Sequence, residues 1–372
     1  MSYLERETAA GPKRLLALDG GGIRGHLTLQ VLAALEDLLR EQSGADERFV
    51  LADWFDYVAG TSTGAVLAAG IARGMRVHEI ADLYDRLGAD MFKKPFLPHR
   101  LWYRYRADAL SNTLKEVLGP NTTFGDPRMR TLLMMVLRNA STDSPWPLSN
   151  ATAAKYNDRS RPDCNLQLPL WQLVRGSTAA PFYFPPEVIK LGERRFVFAD
   201  GGVTSYNNPA FQLFLMATLQ AYGLAWPTGE DRMLIVSAGT GYHPDANENL
   251  KLSSLHILHN AQSVPSALMF AALVQQDTLC RVFGRCLVGE VLDEELGGLY
   301  DEPGPAPVKL FTYLRYNADL SRRGLDALGL RDIDPEAIRK LDSLSSVDDL
   351  RRVGRAVAER DVCAEHYRAF RR

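Results

Sequence analysis

The chain has 372 residues, 46% of them hydrophobic and 24% charged, with 43 basic residues against 45 acidic ones and a formal net charge of -2. This is the balance of an ordinary soluble globular protein with enough length to bury a sizeable core, and it excludes collagens, disulfide scaffolds and disordered tails. A near-neutral total also argues against a protein built mainly to bind nucleic acid, whose footprint is a clearly basic domain.

Met1 to Arg14 is charged and has no apolar core, so no signal peptide is expected. Leu15 to Leu18 is a short apolar run that stops at Asp19 and three glycines, which predicts a buried strand and a turn. From His26 to Arg40, apolar residues recur at Leu27, Val31, Leu35 and Leu38, close to helical spacing. Phe55 to Ala59 predicts a second strand, stopped by Gly60, and Ala65 to Ala72 predicts a helix ended by Gly74. Thr131 to Leu137, Phe196 to Ala199 and Met233 to Ser237 read as strands, and the last two run into Gly201-Gly202 and Gly239-Thr240-Gly241. Strands separated by helices predict an α/β fold with a largely parallel sheet.

Phe211 to Trp226 comes nearest to a membrane span but contains Gln212 and Gln220 and falls short of the roughly 20 apolar residues required. Asp301 to Val308, with three prolines, predicts a loop. Beyond it, Asp334-Pro335-Glu336 predicts a helix start, and Ser346 to Asp349 resembles a capping box with Asp in place of Glu. Two charged helices are expected to close the chain, their basic residues offset by acidic ones. No internal repeat or low-complexity tract is present. The four cysteines (Cys164, Cys280, Cys286, Cys363) form no CxxC pair and are expected as reduced core thiols, which fits a cytoplasmic compartment.

Three glycine-bounded motifs could carry chemistry. Gly60-Thr61-Ser62-Thr63-Gly64 sits between a predicted strand and a helix, where small neighbours permit a strained turn that exposes a serine Oγ. A helix N-cap serine without reactivity is the plain alternative. Asp19-Gly20-Gly21-Gly22-Ile23-Arg24-Gly25 follows the first strand and can be read three ways. Gly20, Gly22 and Gly25 match GxGxxG, a cradle for a dinucleotide pyrophosphate; consecutive glycine amides can also form an oxyanion hole; or the loop is a sharp turn. The dinucleotide reading wants an acidic residue ending the second strand, whereas Glu36, Asp37 and Glu41 fall in or near the helix. Asp200-Gly201-Gly202 places a carboxylate at a strand end, though Asp-Gly is also a common turn. Of the seven histidines only His243 falls in a plausible catalytic loop, and His256 with His259 lacks a third metal ligand. No metal site and no cofactor are expected.

Taken in order, DGGGIRG, GTSTG and DGG resemble the patatin-like phospholipase family. Arg175 to Pro185 looks like that family's RATSAAPTYF stretch, and Val236 to Gly241 resembles its SLGTG strand end. The likeness covers residues 13–242, an expected catalytic core, and fades over 243–372, an expected helical C-terminal part of the same domain. It implies a three-layer fold with a mostly parallel central sheet flanked by helices, plus a helical C-terminal extension. It implies a lipid acyl hydrolase with Ser62 as nucleophile and Asp200 as base, and with Gly20, Gly21 and Gly22 supplying oxyanion amides. Arg24 would support that loop, with Gly25, Gly60, Gly64, Gly201 and Gly202 as motif glycines. The sequence departs from the family at Gly176 and Ser177, and at Val203 to Tyr206, which is one residue longer than in many members.

The resemblance further implies a phospholipid or other acyl-lipid substrate and peripheral membrane contact. Phe92 to Arg106 interleaves Lys93, Lys94, Arg100, Arg104 and Arg106 with aromatic residues including Trp102, a composition suited to anionic lipid. A structural cap with snorkelling arginines has the same composition. Some bacterial members of this size are antiphage effectors switched on by a cyclic nucleotide, and residues 243–372 are the candidate region for such an activator, although they carry no nucleotide motif. The competing class is a non-hydrolytic nucleotide-binding or signalling module using the Gly20–Gly25 loop.

Overall fold

The computed structural model describes residues 1–91, 107–181, 183–244, 257–300 and 302–371. Helix α1 (Tyr3–Thr8) begins with a capping box in which the Ser2 side chain accepts from the Glu5 N–H and Glu5 accepts from that of Ser2. Strand β1 (Lys13–Leu18) follows, buried throughout, and leads to α2 (Gly25–Ser43). After α3 (Leu51–Trp54) come β2 (Tyr57–Thr61), α4 (Thr63–Ala72) and α5 (Val77–Met91). Helix α6 (Ala107–Leu118) precedes a hairpin of β3 (Leu132–Asn139) and β4 (Ser144–Ser149), then α7 (Leu170–Ser177). A second hairpin, β5 (Glu187–Leu191) and β6 (Arg194–Asp200), comes before α8 (Ala210–Thr218) and β7 (Met233–Ala238). The C-terminal part holds α9 (Ile257–Phe283), β8 (Arg285–Val288) and β9 (Thr312–Tyr316). It ends with α10 (Arg322–Ala327), α11 (Pro335–Ile338) and α12 (Val347–Asp361).

The strands described form one sheet in the order β5-β6-β3-β2-β1-β7-β9-β8, with β4 paired to β3 off this path. Strands β3, β2, β1, β7, β9 and β8 pair in parallel, whereas β4, β5 and β6 join antiparallel. Every residue of β1, β2, β7 and β9 is buried, as expected for parallel strands covered by helices on both faces. The expected strands are β1, β2, β3, β6 and β7, their ends moved by a few residues.

The C-terminal part is mostly helical but also extends the sheet through β9 and β8. An arginine inside Thr-Tyr-Leu-Arg-Tyr hides β9 from a hydrophobicity reading; Arg315 is nevertheless buried, because Asp19 neutralises it. Asp334 caps α11 as expected, accepting from the Glu336 N–H at 3.0 Å. The capping box expected at Ser346 is absent: its Oγ donates to the Ala337 carbonyl at 2.9 Å, which ties α12 back to α11. Three of the cysteines are buried as free thiols, but Cys363 is exposed. Among the described residues no helix is long and apolar enough to cross a membrane.

Asp56, just before β2, is fully buried. It accepts from Arg6 Nη1 at 2.9 Å and from the Arg14 N–H at 2.9 Å, with Arg14 Nε at 3.3 Å. Asp56→Ala leaves two buried guanidinium groups without this carboxylate, and it should lower the unfolding free energy by about 3–5 kcal/mol. Urea titration measures this, and a loss below about 1 kcal/mol, the range of an exposed pair, would contradict it.

Candidate active site

Two strands reach the site from opposite directions along one edge of β3. Thr61, ending β2, is in register with Val136, and Asp200, ending β6, is in register with the next residue, Leu137. Strand β4 occupies the other edge of β3 at these positions, so β2 and β6 meet end to end. Residues 62 and 200, 138 apart in sequence, are thus brought to neighbouring rungs.

Between β2 and α4 the chain turns on Ser62, at φ 54° and ψ -122°. A non-glycine residue there stores roughly 1–3 kcal/mol of strain and projects its side chain out of the turn. The flanking glycines are required by space: a Cβ on Gly60 would lie 2.1 Å from the Gly64 carbonyl oxygen, and one on Gly64 2.2 Å from that of Leu18. The Ser62 N–H donates to Ser177 Oγ at 2.9 Å, and Ser177 Oγ donates to the Val136 carbonyl at 2.6 Å. Ser177, one of the departures from the family pattern, therefore fixes the turn to β3.

Ser62 Oγ donates to Asp200 Oδ2 at 2.6 Å, and Asp200 Oδ1 accepts from the Gly202 N–H at 2.7 Å. Both side chains are buried, with Ser62 8% and Asp200 4% exposed. Burial holds the Asp200 carboxyl up at about 6, against the hydrogen bonds from Ser62 and Gly202 and the positive charge of buried Arg175, which favour its ionised form. Gly201 packs on Val136. A 2.6 Å hydroxyl–carboxylate bond allows direct proton transfer, with no third group between.

The glycine loop lies against this pair; a Cβ on Gly20 would be 3.1 Å from that of Ser62. The Gly20 N–H donates to the Asn207 carbonyl at 3.1 Å, and its own carbonyl accepts from Thr240 Oγ1 at 3.0 Å. The Gly21 N–H donates to Thr63 Oγ1 at 3.2 Å. Gly22, at φ 58°, accepts from the Tyr84 hydroxyl, and no acceptor for its N–H is found among the described residues. The Ile23 N–H donates to the Leu341 carbonyl at 2.9 Å, and that of Arg24 to Gly21 at 3.2 Å. Gly25 opens α2 against the Tyr84 ring. Burial pulls Arg24 down to about 10, partly offset by Asp19. With Gly20, Gly21, Ile23 and Arg24 amides all bonded to protein, the loop has little left for a dinucleotide pyrophosphate.

No histidine bonds to Ser62 or Asp200 among the described residues, and no group there of three or more His, Cys, Asp or Glu could hold a metal ion. The basic, aromatic stretch with Lys93, Lys94, Arg100, Trp102, Arg104 and Arg106 lies outside the described residues. Sequence reasoning missed Ser177 as a support, although it lies in the quoted 175–185 stretch, and missed Tyr84, whose helical spacing carries no signal of its contact.

The family model for patatin-like phospholipase matches residues 16–214, a span holding the glycine loop, Ser62 and Asp200. The chain belongs to the patatin-like phospholipase family. Over 218 residues it is 31% identical to a cGAMP-activated phospholipase of Vibrio cholerae, a match covering 56% of this chain and 58% of the relative. It is 32% identical over 264 residues to an intracellular phospholipase A2 of Caenorhabditis elegans, covering 69% of this chain and 22% of that one. Patatin-like protein 1 of Arabidopsis thaliana is 28% identical over 330 residues, 76% of this chain and 77% of its own. The chain thus spans less than two thirds of the length of the first two relatives.

In this patatin-like site the raised Asp200 carboxyl makes stability depend on pH. The folded state binds that proton more tightly than the unfolded chain, whose group has the ordinary value of 3.8. The stability it contributes is full below that value and is lost as pH rises through about 6. Asp200→Asn should therefore match the wild type near pH 4 and exceed it at pH 8 by on the order of 2–3 kcal/mol. Thermal melts at the two pH values measure this, and a difference that does not grow with pH would contradict it.

Proposed function

We propose that this patatin-like chain is a serine lipid acyl hydrolase acting on fatty acyl esters of phospholipids through a Ser62–Asp200 dyad. The observation that carries the reading is the 2.6 Å bond from Ser62 Oγ to a buried carboxylate, on a turn strained to φ 54°. Ser62 Oγ attacks the acyl carbonyl carbon while Asp200 Oδ2 takes its proton. The tetrahedral oxyanion is received by the glycine loop at the Gly22 N–H, which has no acceptor among the described residues, while Gly21 bonded to Thr63 and Gly20 bonded to Asn207 hold the loop in place. The N-terminal amides of α4 lie beside Ser62 and add positive potential there. Collapse of the intermediate breaks the ester bond, and Asp200 returns the proton to the leaving alcohol. Water, activated by the same carboxylate, then releases the fatty acid and restores Ser62. A phospholipid substrate requires peripheral membrane contact, and a cytoplasmic membrane face is the setting proposed for it.

A wild-type protein should be labelled by a fluorophosphonate and hydrolyse phospholipid vesicles, and Ser62→Ala should lose both. Retained hydrolysis in Ser62→Ala would overturn the dyad. The base must be ionised to accept the proton, so kcat/KM should rise through a pKa of about 6 and level off above it. A profile flat from pH 5 to 8 would remove Asp200 from that role.

A second reading concerns regulation, and it is supported by the name of the Vibrio cholerae relative, a cGAMP-activated phospholipase. On this reading a cyclic dinucleotide raises the hydrolysis rate, and residues 243–372 receive it. Vesicle hydrolysis with and without a panel of cyclic oligonucleotides tests it, and equal rates across the panel would reject it.

A further inference from the structure

The glycine loop starts at Asp19, a residue with no part in the dyad chemistry and almost no exposure, 1%. Its carboxylate is gripped by one guanidinium: Arg315 Nη1 donates to Oδ1 at 2.9 Å and Nη2 to Oδ2 at 2.6 Å. Arg315 stands on β9, and β7 lies between β9 and β1 in the sheet. The side chain therefore bridges across β7, where its Nη1 also donates to Ser237 Oγ at 2.7 Å. Ser237 Oγ donates on to Asn208 Oδ1 at 3.3 Å, beside Asn207, whose carbonyl holds the Gly20 N–H. The Asp19 N–H is itself bonded to the Ala238 carbonyl at 3.1 Å. Side chain and backbone of Asp19 are thus both locked to the neighbouring strands immediately before Gly20.

Stability alone is a weak account of this pair. A buried ion pair adds little over apolar residues of the same volume, because desolvation offsets most of the attraction. What a bidentate guanidinium–carboxylate pair does supply is orientation, since two parallel bonds fix both distance and angle. Orientation is the property an oxyanion loop needs: its amides stabilise the transition state only when aimed at the position the oxyanion will take. We propose that Arg315 is a positioning residue for the glycine loop, acting through the bidentate bond to Asp19; this rests on the reading of the loop as the oxyanion hole.

The test is Arg315→Lys, which keeps the charge and loses the fork. Rates are counted per active site titrated with a fluorophosphonate, so that unfolded protein does not enter. The expected result is a fall in kcat of about 10- to 100-fold, somewhat less than the loss of a whole oxyanion donor, with KM within about twofold. Inhibition by a fatty acyl trifluoromethyl ketone, whose hemiketal oxygen occupies the oxyanion position, should weaken by the same factor. Binding of a non-hydrolysable ether phospholipid, which has no carbonyl to place, should not change. Asp19→Asn should behave alike, and the double variant should lose no more than the worse single one, because both act through one bond. If Arg315→Lys fails to fold, Asp19→Asn and Ser237→Ala carry the same readouts, the latter with a smaller fall. Wild-type kcat and ketone affinity per titrated site in the folded variants, with only the melting temperature lowered, would overturn the proposal. Retained hydrolysis in Ser62→Ala would instead overturn the dyad reading itself, so the two failures are distinguishable.

Discussion

One edge of β3 receives two strands that run toward each other, and the geometry of the site follows from where they stop. Strand β2 ends opposite Val136 and β6 opposite Leu137, so the residue after one strand and the last residue of the other meet within a single hydrogen bond. That proximity is why a carboxylate can serve the serine directly. A serine-histidine-acid arrangement uses the imidazole to span a gap; here there is no gap. The parallel pairing of β2 and the antiparallel pairing of β6 are both needed, because two strands entering from the same end could not abut.

In the proposed dyad, direct service by a carboxylate has an electrostatic requirement, and burial of Asp200 acts in its favour. An exposed Asp near its ordinary value of 3.8 is a poor base for a hydroxyl, and the raised Asp200 is a better one. The same burial works against stability at neutral pH, as do the strained turn at Ser62 and the closely packed glycines around it. The surrounding polar network offsets this cost: Ser177 on the Ser62 amide, Gly202 on Asp200, Asn207 and Thr240 on Gly20. The C-terminal part belongs to this network. Arg315 of β9 and the Leu341 carbonyl both contact the glycine loop, so the region where the family likeness fades still shapes the site.

Much of the central architecture was legible in the residues. Short apolar runs ending in glycine marked β1, β2 and β7, since a strand covered on both faces is apolar throughout and its turn needs small residues, and a shorter run marked the buried end of β6. Strands β4, β5, β8 and β9 were not legible. Strand β4 carries two prolines, β5 and β8 carry charge, and β9 holds an arginine whose partner lies 296 residues away. The capping box expected at Ser346 failed for a similar reason, because a tertiary acceptor, the Ala337 carbonyl, competes for the hydroxyl.

The sequence by itself marked the residues proposed for the chemistry, Ser62 and Asp200 with the glycine loop, because sharp turns need small neighbours that leave a local signature. It also determined the family, through the order of those turns. Only the tertiary structure decided that Ser62 and Asp200 share one hydrogen bond, that Ser177 accepts from the Ser62 amide, and that Arg315 grips the residue before Gly20. Those relations depend on strand register and on buried charges finding partners far along the chain. Neither leaves a periodic or local trace, since a register is a property of two segments and a buried pair is a property of the space between them.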